Sequence, residues 1–181
     1  MNQSSSNQDG AALQSIQILS FVLDGDWFGV EIGGIQEVLE YRTVTKVPRT
    51  PAFMLGVINL RGKVIPVVDL RRHFEMKTPE PTVDSCIIII HVEIDGESTA
   101  LGILADRVKE VLEIDMSNIS PPPKIGSRVN SNFIYGMARH DDNFIILLRL
   151  ARVFSSEELQ RVMEQTETLP QPEVSSENQG E

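Results

Sequence analysis

The chain spells one unit twice, and that limits its possible folds more than any other feature. "FGVEIGGIQEVLE" matches "LGILADRVKEVLE", setting Gly29 against Gly102 and Val38 against Val111, 73 positions on. "FMLGVIN…VIPVVDLRRHF" matches "FIYGMAR…IILLRLARVF", now 80 positions on, with Gly56 against Gly136 and Phe74 against Phe154. The seven extra residues fall in "SPPPKIGSRVNSN", which has the composition of a loop. Each copy is about 60 to 70 residues long, too small to bury much surface alone, so the two should share a core.

Both copies are rich in strands. "ILSFVLDGDWFGVEI" and "CIIIIHVEIDGESTALGIL" each place two apolar runs around Asp-Gly, a strong hairpin signal. "IYGMARHDDNFIILLRL" is a third hairpin with polar residues 139–143 at its turn, and "GVINLRGKVIPVVDL" a fourth. In the fourth, Leu60-Arg61 is expected to make a type I turn with Gly62 in a bulge. Ile35, Val38 and Leu39 have helical spacing, a weak signal just after Gly33-Gly34. Ser155 and Glu158 form a capping box ahead of a short helix expected at 156–165. The expected architecture is mostly β: two small antiparallel barrels around a shared core. The first copy is placed at about 16–77 and the second at about 84–155. Polar residues 1–15 and acidic residues 166–181 are expected to be disordered tails.

Charge and composition exclude several functions. Residues 1–77 hold eight basic and eight acidic residues, so the formal net charge of −10 comes wholly from the remainder. An acidic chain without a basic stripe is a poor nucleic-acid binder, although small barrels often serve that role. No apolar run approaches the ~18 residues a membrane span needs. The polar start lacks the features of a signal peptide, which points to the cytoplasm. Cys86, the single cysteine, lies in "CIIIIHV" and reads as a buried, inert thiol.

Catalytic patterns are missing. His73, His91 and His140 stand apart, with no metal-ligand spacing, and His140-Asp141-Asp142 reads as a solvated turn. No nucleophile elbow or phosphate loop is present. Carboxylates such as Asp69 and Glu37 show no partner in the sequence, leaving open a site assembled across the barrels. The remaining exposed character is Arg61 and Lys63 around a turn glycine, beside "TVTKVPRTPAF", which reads as an edge strand leading into a loop.

The blocks "IQEVLEY", "TPAF…GVINLRG…IPVVDLR" and "LGILADRV.EVL", with "Y.GMA", resemble the CheW-like family of chemotaxis coupling proteins over residues 16–163. That resemblance implies two SH3-like five-stranded barrels and a non-catalytic adaptor without cofactor or metal. It implies an adaptor that joins chemoreceptor cytoplasmic tips to the regulatory domain of the histidine kinase CheA, in the cytoplasm at membrane receptor arrays. A related pathway controlling pili would leave the same signature. By position, the receptor groove falls on Ile35, Glu37, Gly56 and Arg61, with Asn59 and Leu60 shaping the turn. An internal Arg61–Glu37 pair is compatible with that role. Kinase contacts fall on Val44, Val47 and Ile125. Two residues depart from the family pattern: Arg149 stands where the last strand commonly ends in an acid or amide, and Ser120 where some relatives carry a basic residue.

Overall fold

The computed structural model describes residues 14–122 and 129–167. Eight of the eleven strands among the described residues form four hairpins. The first copy supplies β1 (Ser15–Leu23), β2 (Asp26–Glu31), β3 (Ile35–Glu40), β4 (Met54–Leu60) and β5 (Lys63–Val68), then the single-turn α1 (Leu70–His73). The second supplies β6 (Cys86–Ile94), β7 (Glu97–Ala105), β8 (Arg107–Asp115), the short β9 (Ile119–Ser120), β10 (Ile134–His140) and β11 (Asn143–Leu148). Helices α2 (Leu150–Val153) and α3 (Ser156–Glu167) follow. The mostly β, two-barrel SH3-like architecture stands.

The barrels do not follow the copy boundaries expected at 16–77 and 84–155. One sheet runs β8-β1-β2-β11-β10-β9 and the other β3-β6-β7-β5-β4. Each therefore takes its first hairpin from one copy and its later strands from the other. The short connections through Ile32–Gly34 and through Asp106 carry the chain from one sheet into the other. Where the copies meet, the strands are parallel, with Gly29 beside Leu147 and Val67 beside Gly102. A side chain at Gly29 would meet the Ile18 side chain at 2.7 Å, and one at Gly102 would meet Ile87 at 3.0 Å. The repeated glycine lets the seams close.

Three apolar clusters result. Ile58, Leu60, Ile65, Val67, Ile87, Ile89 and Leu104 fill one barrel, and Ile18, Ile114, Ala138, Ile145 and Leu147 the other. Between them lies the shared core, where aromatic contacts repeat like the sequence. Phe53 packs on Phe154 at 5.1 Å, and Phe133, 80 positions after Phe53, packs on Phe74 at 6.0 Å. Burying each phenyl ring contributes about 1.5–3 kcal/mol. Capping α3, the Ser155 hydroxyl accepts from the Glu158 N–H at 3.1 Å, while the Glu158 carboxylate accepts from the Ser155 N–H at 2.9 Å.

Four expectations need correcting. The helical spacing of Ile35, Val38 and Leu39 is a strand: burial alternates along Ile35–Glu40, and β3 pairs with β6. At the Arg61 hairpin, Leu60 pairs with Lys63, and Arg61 and Gly62 have φ of 51° and 84°. That is a two-residue type I′ turn, whose twist suits the flanking strands, rather than type I with a bulge. Helix α3 continues through Glu167, so Thr166, expected in the tail, is a buried residue donating to the Val162 carbonyl at 2.8 Å. Cys86 is half-buried rather than buried, and its partial burial raises the thiol pKa.

Candidate interaction surface

The β4–β5 hairpin tip is built against its own turn chemistry. The first turn position of each described hairpin is left-handed: Asp24, Arg61, Asp95 and Asp141 have φ of 48°, 51°, 53° and 52°. Aspartate tolerates this region comparatively well, whereas a non-glycine residue held there commonly costs on the order of 1 kcal/mol. Arginine occupies it only at the β4–β5 tip. Asn59 stabilises the bend, since its side-chain oxygen accepts from the Gly62 N–H at 2.9 Å. The Asn59 carbonyl also accepts from the Arg42 guanidinium at 3.2 Å.

From that tip Arg61 reaches β3. Its Nη1 donates to Glu37 Oε1 at 2.9 Å and its Nη2 to Oε2 at 2.8 Å, a bidentate pair. Arg61's hydrogen bond holds the Glu37 carboxyl below its ordinary value, with the charges of Arg61 and Arg42 adding to this against some desolvation. The same hydrogen bond raises Arg61. The Arg61 side chain is 68% exposed and that of Glu37 24%. A pair this wet adds little to stability. Its result is positional: a guanidinium fixed in direction while most of its surface faces solvent.

Beside the tip runs a groove of about 380 Å³, with Leu60, Arg61, Lys63, His91 and Thr99 among its walls and Met163 of α3 at its side. The structure thus brings together Glu37, Asn59, Leu60 and Arg61. Ile35 is half-buried at the start of β3 and packs on the shared core. Gly56 is buried. Its φ is 148°, and a Cβ there would lie 2.0 Å from the Thr45 carbonyl oxygen, so it is the crossing point of two chain segments. Thr45 and Val57 exchange two hydrogen bonds at that crossing, of 2.9 and 2.8 Å.

The residues assigned to the kinase lie differently. Val44 is half-buried against the barrel that contains Leu60. Val47 is 8% exposed and belongs to the shared core, which accounts for it without a partner. Ile125 lies outside the described residues. Ser120 pairs with Met137 in the short strand β9. At the His140-Asp141 turn, His140 Nε2 lies 3.6 Å from the adjacent Asp141 carboxylate, and no group of three potential metal ligands occurs among the described residues.

Sequence reasoning missed Arg42, His91 and Met163 at this surface, and it missed a buried network elsewhere. Asp69 accepts from the Arg71 guanidinium at 2.9 Å through both oxygens, and Arg71 also binds Asp106. Burial opposes the charge on Arg71, but hydrogen bonds and charges from Asp69 and Asp106 outweigh it and raise its pKa. The motif "DLR" at a strand end was the available signal; Asp106, 35 residues away, had none.

Two exchanged SH3-like barrels with an exposed charged rim define a small β-protein of the interaction-module class. Comparison with known proteins narrows the class. Residues 17–158 match the family model described as CheW-like domain, and the chain belongs to that family. It is 36% identical over 142 residues to the chemotaxis protein CheW of Rhizobium meliloti, covering 78% of this chain and 89% of that one. Treponema pallidum CheW is 28% identical over 155 residues, covering 82% and 88% respectively. Among solved structures, the scaffolding protein TtCheW of Thermoanaerobacter tengcongensis superposes with a TM-score of 0.71 at 35% identity, covering 82% of this chain and 94% of that one.

Proposed function

We propose that the protein is a chemosensory adaptor, coupling chemoreceptor cytoplasmic tips to the regulatory domain of the histidine kinase CheA without catalysing a reaction itself. The observation that carries this reading is the Arg61–Glu37 fork. An exposed guanidinium is held in a fixed direction, at a turn position where aspartate would be easier to accommodate. Family membership supplies the context. The groove at Leu60, Arg61 and Lys63 suits a receptor's helical hairpin, which offers carboxylates to Arg61 and apolar side chains to the groove floor. Kinase contact falls on Val44, Val47 and Ile125, with Val47 packed in the shared core in the free protein. The protein works from the cytoplasm, recruited to receptor arrays.

The test is Arg61→Glu, titrated separately against a receptor fragment and the kinase regulatory domain. Like charges facing across an interface cost several kcal/mol, so receptor binding should weaken tens- to hundreds-fold. Kinase binding and the melting curve should stay close to the parent. Equal losses for both partners, or a collapsed melting curve, would place the receptor groove elsewhere.

A further inference from the structure

The last strand of each copy runs into a one-turn helix, and there the copies differ in charge. After β5, Asp69 caps α1 by accepting from the Arg71 N–H at 3.0 Å. The Arg71 side chain, 4% exposed, then plugs the corner between Asp69 and Asp106. The repeat sets Arg149 against Asp69, Ala151 against Arg71 and Gly33 against Asp106. Nothing caps α2 through a side chain.

The missing plug leaves a cavity of about 270 Å³, walled by Ile16, Ile18, Tyr135, Leu147 and Ala151, with Arg149 on its edge. Arg149 lies over the Tyr135 ring, 5.4 Å from its centre, and makes no ion pair among the described residues. Glu31 and His91 share the lining.

We propose that this vacant corner is a socket for a segment of a partner protein that offers an aliphatic side chain beside a carboxylate. The strand-end charge is inverted relative to the first copy, so the complementary plug is inverted too. A carboxylate meets Arg149, and the aliphatic group enters the space Arg71 fills in the other barrel. At 270 Å³ the cavity lies below the range of about 300–1,000 Å³ typical of small-molecule sites, and it matches one side chain with its neighbour. His91 also lines the groove beside Arg61, so the socket adjoins that groove. The socket does not depend on the receptor reading.

The probe is the blocked tetrapeptide acetyl-Ala-Leu-Glu-Ala-amide, titrated into the isotope-labelled full chain, with the Gln counterpart as control. Expected are amide shifts at Tyr135, Leu147 and Ala151 with a dissociation constant on the order of millimolar, and binding about tenfold weaker for the Gln peptide. Arg149→Gln should remove the preference for Glu, and Ala151→Met should fill the cavity and abolish the shifts. Both positions are exposed, and an unchanged amide spectrum away from the corner confirms folding. Equal binding of both peptides, shifts that survive both substitutions, or no shifts at all would overturn the proposal. So would shifts of the same amides on deleting residues 168–181, or on concentrating the protein alone. Those results would assign the corner to the chain's own end or to a second copy.

Discussion

Two hairpin tips 80 residues apart, Arg61-Gly62 and Asp141-Asp142, open on a left-handed residue of opposite charge, and only the first stays left-handed at its second residue. Their first residues have φ of 51° and 52°. Beneath the first tip Glu37 receives the guanidinium; the repeat sets Glu110 against Glu37, and Glu110 instead has its backbone N–H bound to the Ser20 hydroxyl. No such fork stands at the second tip among the described residues. Asp24 and Asp95, each followed by a glycine at φ 82°, show that a carboxylate satisfies the Arg61-Gly62 bend, so Arg61 is present for something outside the turn.

The difference between the copies is sharpest at the strand ends. Asp69→Ala removes one partner of the buried Arg71 and should cost about 3–5 kcal/mol in urea denaturation. Arg149→Ala, at the repeated position, should stay within about 0.5 kcal/mol. Matching losses would erase the asymmetry. Next is the glycine pair. At Gly56 a Cβ meets the Thr45 carbonyl oxygen at 2.0 Å with φ of 148°, whereas at Gly136 it meets the Ile119 side chain at 2.5 Å and the Ser120 carbonyl oxygen at 2.8 Å. Gly56→Ala should lose about 2–3 kcal/mol, and Gly136→Ala less, because its backbone clash is shallower and its φ is not left-handed.

Smaller still is Arg61→Asp, which gives the tip the residue found at the other three. Thermal stability should change by no more than about 0.5 kcal/mol, or rise slightly, while receptor affinity falls. Loss of the fold would show that the fork holds the barrel together. The smallest effect is on pH dependence. Glu37 is depressed in the folded state, so its contribution is present above the unfolded value near 4.5 and is lost as pH falls through the folded one. In a carbon-detected NMR titration, its midpoint should lie below 4.5 and move upward in Arg61→Asp. An unmoved midpoint would mean that Arg61 is not the cause.

The elements legible in the sequence were those whose chemistry is local. Asp24-Gly25 and Asp95-Gly96 mark their hairpins because only a few residue types accept the turn, and Ser155 with Glu158 marks a helix start by reciprocal hydrogen bonds. Strand β3 misled because six residues are too few to separate two periods. Ile35, Val38 and Leu39 fit a helix, while in the sheet Val38 points outward at 40% exposure. Of the site, Arg61, Asn59 and Leu60 were placed by one contiguous block, and Glu37 joins them through a pair the sequence left open. Gly56 reads as a contact in the sequence, and in space it is a crossing point, which depends on Thr45 lying over it. The Asp69–Arg71–Asp106 network joins residues with no shared pattern.

Exchange of the first hairpins imposes an order on folding. As the chain leaves the ribosome, β1 and β2 emerge first, yet their neighbours in the sheet are β8 and β11. Until Leu148 has been synthesised, β2 has no partner on that side and the hairpin waits with apolar edges exposed. The second hairpin emerges to find β3 and β5 already made, so the barrel containing Arg61 is the first that can close. Pairings this distant make for slow folding and leave early intermediates open to association. A half-chain cut between the copies therefore lacks the strands that complete either barrel, and two such halves should regain the fold only by finding each other.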